Sequence, residues 1–333
     1  MNPKSSVLLF GDINVDNIFL LSEFPDPGRD GFSNHVEMHL GGAVCNSAAV
    51  LEGLGQPTRL LGAVGDDMWS KFVYEELWKA TIDSQHVVIK PDLHTGLIFI
   101  AVTPNGERTM FCHRGANIGF NPTDLHQDVL DDISLVALSG YVFLEAPQRD
   151  TAWKLIEMAA ERHIPISMDT GLDPVILSPD AINDVLPYVS LLITGEAEAE
   201  RLTHAATRQG QRDAFLAYGI DQVAIKLGRK GAWLGWERGS YSSPAFQVQV
   251  VDTTSAGDAF TAGMIYGYLH GFSPPGSLLL ANALGGLATT VYGAARIGRE
   301  DILSFLEDKN QTNDTERDCA AWAEVIQGLR RSK

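Results

Sequence analysis

An α/β fold built on a mainly parallel sheet is the class this sequence predicts, and three observations predict it. Short apolar runs alternate with longer amphipathic stretches along most of the chain, the pattern of strands covered by crossover helices. The composition, 45% hydrophobic and 20% charged, is that of an ordinary globular protein with a core for those strands to enter. Two β-type interruptions, at 17–40 and 96–115, break the rhythm and read as hairpins projecting from the core.

Val7 to Phe10 reads as the first buried strand. Thr58 to Val64, Leu135 to Leu138, Ile164 to Asp169, Leu191 to Thr194, Gln222 to Leu227 and Ala232 to Gly235 follow it, each short and apolar. Helical patterns lie between them at Asn46 to Leu54, Lys71 to Ala80, Thr151 to His163, Glu196 to Thr203, Ala256 to Gly271 and Pro275 to Tyr292. In the interruptions, Pro25, Pro27 and Gly28 punctuate the first, and Pro104-Asn105-Gly106 the second, where Asn-Gly is a strong hairpin signal. Such hairpins serve as a lid or simply as extra edge strands. After Asp308 the chain is polar (Lys309 to Asp318) and then helical in pattern (Ala320 to Leu329), so it reads as a surface extension. There is no internal repeat and no low-complexity tract.

A length of 333 residues suits one large domain or two smaller ones. No stretch reaches the ~18 to 20 apolar residues of a membrane helix, and the Val7 to Phe10 run is too short for a signal peptide, so no membrane is expected and the cytoplasm is the expected compartment. The three cysteines, Cys45, Cys112 and Cys319, form no C-x-x-C and suggest neither disulfide nor zinc. With 25 Lys and Arg against 42 Asp and Glu, the net charge of −17 argues against nucleic acid as a partner. It leaves room for a small phosphorylated cofactor held by local N–H groups. The Walker phosphate loop, H-E-x-x-H, G-x-S-x-G and G-x-G-x-x-G are all absent, which weakens P-loop, zincin, hydrolase and Rossmann dehydrogenase readings.

The chemistry concentrates in Val250 to Gly263, VVDTTSAGDAFTAG, where a β-branched run meets Ser-Ala-Gly-Asp and opens into a helix pattern. Small residues at Ser255, Ala256 and Gly257 leave the backbone N–H groups of a helix start open to an anionic oxygen. Asp258, in the first turn, is placed to take a proton from a hydroxyl while those N–H groups stabilise a transferred phosphoryl group. Taken alone, S-A-G-D serves equally well as a helix cap.

Asp252 to Phe260 closely resembles the C-terminal signature of the ribokinase-like sugar kinases, the phosphofructokinase-B family, D-T-T-G-A-G-D-x-F, with Ser255 in place of a glycine. A second resemblance lies near the N-terminus, in Gly11-Asp12-Ile13-Asn14-Val15-Asp16 and Gly41-Gly42-Ala43-Val44-Cys45-Asn46, which are similar to the family's sugar-binding elements. Asp16 and Asn46 can bond vicinal hydroxyls, and the glycine pair allows close approach to the backbone. The resemblance runs from Val7 to Leu306. It implies a three-layer α/β/α domain over 1–307 with a central mostly parallel sheet and a small β-sheet lid, followed by a C-terminal extension at 308–333. Asp258 then matches the catalytic base, with the Ser255, Ala256 and Gly257 N–H groups beside it.

The resemblance also implies Asn14, Asp16, Gly41, Gly42 and Asn46 as acceptor-binding residues. Gly106-Glu107-Arg108-Thr109 resembles a hairpin tip, and Arg114 and Glu145 (after Ser139-Gly140) fall near the substrate. Gly195 to Glu200 resembles N-x-x-E with glycine for asparagine, so Glu198 would organise Mg²⁺ through water; an acidic first turn explains the same residues. Lys226, Gly228, Gly231 and Asn282 fall beside the nucleotide, with Lys230 equally a solvated loop residue. Asp252 and Thr254 match a loop that binds a monovalent cation, K⁺ in several members.

These residues imply a sugar kinase using ATP and Mg²⁺, with a homodimer formed through the lid. A nucleoside kinase of the same fold, adenosine or pseudouridine in type, is the nearest rival. Phe19, Phe99, Phe111 and Phe143 are its candidate base platform or simply core. A sugar sensor that no longer catalyses is the rival from another class.

Overall fold

β1 (Ser6–Phe10) runs through the middle of the molecule because its side chains leave it no wet face: Val7, Leu8, Leu9 and Phe10 are all 0% exposed. Val7 and Leu9 enter one hydrophobic cluster and Leu8 and Phe10 another, as alternation along a strand requires of a sheet covered on both faces. The computed structural model describes residues 5–104, 108–291, 293, 296–311 and 318–331. After β1 come β2 (Asn14–Leu21), β3 (Ser33–Gly41), α1 (Ala43–Gly53), β4 (Thr58–Gly65), α2 (Met68–Lys79) and β5 (Asp83–Lys90). β6 (Gly96–Val102), β7 (Arg108–His113), β8 (Ile133–Ser139), α3 (Gln148–Glu161) and β9 (Ile166–Asp169) follow. Then come α4 (Leu172–Leu177), α5 (Pro179–Val185), β10 (Leu191–Gly195), α6 (Glu196–Thr203), α7 (Arg208–Leu216) and β11 (Gln222–Lys226). The chain ends with β12 (Ala232–Trp236), β13 (Gly239–Ser243), α8 (Ala256–Leu269), α9 (Pro274–Ala288), α10 (Arg299–Gln311) and α11 (Cys319–Arg331).

The main sheet has nine strands in the order β13-β12-β11-β10-β9-β8-β1-β4-β5, parallel from β11 to β5, with β12 and β13 added antiparallel at one edge. A separate four-stranded sheet, β3-β2-β6-β7, forms the lid. β2 leaves β1 through Gly11 to Ile13 and already pairs at Asn14 with Gly41 and Gly96, ahead of the expected start at Asn17. The expected Asn105-Gly106 turn, with Glu107, lies outside the described residues; the strands around it pair antiparallel through Val102 and Arg108.

α8 is apolar all round, which suits a helix buried between neighbours. It lies against α9 at a distance only glycine permits: a Cβ on Gly263 would stand 2.6 Å from Ala281 Cα, and one on Gly267 2.4 Å from Ser277 Oγ. α9 stops at Ala288, and Tyr292 lies outside the described residues. Of the expected polar tail, 312–317 also lies outside them; α11 lays Trp322, Val325 and Leu329 against the core beside α9. No helix among the described residues is long and apolar enough to cross a membrane.

Candidate active site

Ser255 starts α8 from the left-handed region, φ 59°, a conformation that costs a non-glycine residue roughly 1–2 kcal/mol. Its hydroxyl donates to Gly293 O at 3.2 Å. The glycine expected at this position is thus replaced by a serine in a conformation glycine adopts readily, and its hydroxyl ties it to the loop after α9. Asp258 follows in the first turn. α1 holds it twice: Asn46 Nδ2 donates to Asp258 Oδ2 at 2.7 Å, and Ser47 Oγ donates to the Asp258 carbonyl at 3.0 Å. Asn46 Oδ1 is buried and without a partner, an acceptor that a ligand hydroxyl would satisfy.

Burial pushes Asp258 up to about 6; the Asn46 hydrogen bond opposes that, the Asp169 charge adds to it and Lys226 opposes it. Burial, and then the negative charge of Asp258, push Asp16 up to about 7 against the pull of His39. Two buried carboxylates therefore interact in one recess, and both are pushed above the usual carboxylate range.

Asp16 lies on β2 against the glycine pair, where a Cβ on Gly41 would stand 2.1 Å from Asp16 Oδ1. Gly42 has φ 97°, and a Cβ there would stand 2.1 Å from the Asp12 carbonyl oxygen. The pair therefore admits the protein's own Asp16 and Asp12, a stricter demand than the ligand approach inferred from sequence. Asn14 is buried, its Oδ1 accepting from Asn117 Nδ2 at 3.0 Å; Asn117 also bonds both backbone groups of Ile13.

Arg114 does not stand free. Its Nε and Nη2 donate to the two oxygens of Asp12 at 2.7 and 2.9 Å, Nη2 also reaches Tyr141 O and Gln148 Oε1, and Nη1 meets Glu145 at 3.0 Å. Asp12 accepts from Gln148 Nε2 as well, at 2.9 Å. Sequence reasoning placed Arg114 and Glu145 near the ligand without Asp12, because an ion pair spanning 102 positions leaves no local signal.

Lys226 ends β11, and Asp169 ends β9, so both stand at the C-terminal edge of the parallel sheet, where open α/β sheets bind ligands. Lys226 Nζ donates to Asp169 at 2.9 and 2.8 Å, and Thr261 Oγ1 donates to the same carboxylate at 2.7 Å. Burial works against the charge of Lys226, but Asp169, helped by Asp258 and Glu198, outweighs it and holds the lysine charged above its usual range. Sequence reasoning ended a strand at Asp169 without assigning it a role. Its position at a strand end was the available signal.

Glu198 folds back over Gly195, where a Cβ would stand 2.1 Å from its Oε2; the carboxylate thus fills the space of the expected asparagine side chain. Beside Lys226 opens a groove of about 360 Å³ lined by Gly228, Phe246, Val250, Asn282 and Gly286 among others. Gly231, at φ 96°, passes 2.1 Å (from a would-be Cβ) from Ser243 O. Asn282 Nδ2 donates to Ser243 O at 3.0 Å, fixing the chain after β13 as the groove wall. Asp252 accepts from Thr254 N and Oγ1 and, through its other oxygen, from Gly293 N at 3.0 Å, joining the loop before α8 to the loop after α9.

The pfkB family carbohydrate kinase model matches residues 4–301. A ribokinase of Haemophilus influenzae is 26% identical over 91% of this chain and 99% of its own. An ATP-dependent ribose-1-phosphate kinase of Halopiger xanaduensis is 28% identical over 91% of this chain and 98% of its own. In fold, an E. coli protein provisionally named ribokinase II, solved with ATP and Mg²⁺, superposes with a TM-score of 0.83 at 23% identity over 91% of this chain and 99% of that one. A lid over a parallel sheet, an aspartate at the start of a buried helix and a family match across nearly the whole chain agree: the chain belongs to the pfkB family of carbohydrate kinases, phosphotransferases that act on an alcohol group.

Proposed function

We propose that this chain transfers the γ-phosphoryl group of ATP to a hydroxyl of a small sugar, with Asp258 as the base. The observation that carries the reading is the place of Asp258: at a helix N-terminus, held by Asn46 on the acceptor side and next to Lys226 on the groove side. At neutral pH Asp258, near 6, is ionised and accepts the hydroxyl proton. Asp16, raised by burial and by the charge of Asp258, faces the same recess and would accept from a neighbouring hydroxyl and so orient it. The backbone N–H groups from Ser255 to Asp258 and the Lys226 ammonium face the charge that develops on the phosphoryl group. Glu198, whose charge acts on Lys226, would hold Mg²⁺ through water as it arrives on the phosphates, and the ion would neutralise phosphate charge there. Closure of the lid would exclude competing water. Asp252 and Thr254 are assigned to a K⁺ site in the adjoining loop.

A sugar is preferred to a nucleoside because of where the aromatic rings lie. Phe143 is 0% exposed in the core. Phe99 and Phe111 are in register with Asn17, one residue from Asp16, and so lie on the opposite lid face; Phe19 stacks on Phe99 at 6.1 Å. That face also exposes Val36 and Met38, which supports pairing of two lids in a homodimer, checked by light scattering. The protein is assigned to the cytoplasm, where ATP is at hand.

The test is ADP release from ATP·Mg²⁺ across sugars, polyols and nucleosides, with Asp258→Asn alongside and with K⁺ present or replaced by Na⁺. Acceptor-dependent turnover that the variant loses is the expected result. Tight acceptor binding without turnover in the wild type would instead favour the sensor reading.

A further inference from the structure

We infer that the acceptor is an uncharged polyhydroxyl molecule, and that sugars bearing a carboxylate or a phosphate are rejected because, among the described residues, the acceptor recess has no free cation to offer them. The inference rests on the kinase reading and narrows its substrate. Two relatives' names show that the distinction is open within the family: one acts on ribose, the other on a sugar already phosphorylated.

Asp16 and Asp258 face the recess, and Ile98 and Cys112 lie in register with Asp16 on the same lid face. The Cys112 thiol is raised by burial and then by the charges of Asp16, Asp173 and Asp12. Tyr141, whose carbonyl accepts from Arg114, donates its hydroxyl to Asp173 at 3.1 Å. Among the described residues, the cations beside these carboxylates are each already held. Arg114 is bound through both oxygens of Asp12 and by Glu145, and His39, in register with Asp16, meets Glu37 at 2.9 Å; Lys226, paired with Asp169, lines the groove and is taken there by the phosphoryl group.

An arginine reads a carboxylate or phosphate through its paired N–H fork. Here that fork is closed on Asp12, and the side chain of Asp12 is only 10% exposed. A ligand anion would have to displace a buried carboxylate and then sit among others, whereas hydroxyls can donate to Asp16, Asp258 and the unpartnered Asn46 Oδ1 without any such exchange.

The experiment compares matched neutral and anionic acceptors, D-ribose with ribose 1-phosphate and D-fructose with D-gluconate, by kcat/KM in the wild type and by calorimetric binding to Asp258→Asn. The neutral member of each pair is expected to lead by at least about 100-fold, and the gap should narrow as salt is raised, which a mismatch of shape would not do. Asp12→Asn, which opens the Arg114 fork, should narrow it further. An anionic acceptor that is turned over or bound as well as its neutral partner overturns the inference while leaving the kinase reading intact. Preferential binding of the neutral members without turnover supports the inference while failing the kinase reading. Absence of both binding and turnover sinks the two together.

Discussion

Removing the charge of Asp258 should make the protein more stable as well as inactive, and the gain should depend on pH. The carboxyl rises from 3.8 in the unfolded chain to about 6 in the folded one. Between those values the folded chain binds the proton more tightly, so stability falls as pH rises through the interval and the penalty is complete above about 6. At about 1.4 kcal/mol per pH unit, a shift of about two units amounts to about 3 kcal/mol at pH 8, and about half of that at pH 5. Asp258 keeps partial contact with solvent, so these are upper bounds. Asn at this position keeps the shape and an oxygen to accept from Asn46. Urea titrations of wild type and Asp258→Asn at pH 5 and 8 should show the variant ahead at both, by more at pH 8. A gap that is the same at both pH values, or a wild type that is the more stable at pH 8, would refute the burial argument and the assignment of the raised carboxyl.

In kinetics, kcat/KM should fall on the acid side with an apparent midpoint near 6 as Asp258 takes up its proton; Asn46→Ala, which deletes the hydrogen bond favouring the carboxylate, should move that limb to higher pH. Gly42→Ala sets a Cβ 2.1 Å from Asp12 O in a residue at φ 97°, and should cost about 2 kcal/mol or more, read as a clear drop in Tm; an unchanged Tm would remove the steric argument. Leu329→Ala in α11 should lower stability by about 2–4 kcal/mol in denaturant, whereas no change would mean that the helix is an appendage after all.

The parts of this fold written plainly in the sequence are those that bury both faces. β1, β4 and β8 to β12 come from runs too apolar to be anything but interior, and the residues expected for them match to within a few positions. β5 and β13 escaped because they are the two edges of the sheet: their sequences, DSQHVVIK and GSYSS, carry polar residues on an open side. α7, RQGQRDAFL, buries only Gln211 and Phe215, too little apolar surface to announce itself. At the site, Asp258 was legible because the residues that shape its helix start are its neighbours in the chain. The partner of Arg114 went unseen, and Asp12 and Asp169 were given no role of their own, for one shared reason: a buried charge gets its meaning from a partner that only folding brings near.

The bond from Asn46 to Asp258 joins α1 to α8 across 212 positions. A ribosome has therefore released Asp16, the glycine pair and Asn46 long before it adds Asp258. In the same way, the Lys226 groove draws on residues from 226 to 289. Order of synthesis thus separates the two sides of the recess, and a chain interrupted before α8 lacks both Asp258 and the helix start that holds it. On the proposed reading, phosphoryl transfer then waits until α8 has been made and has packed against α1.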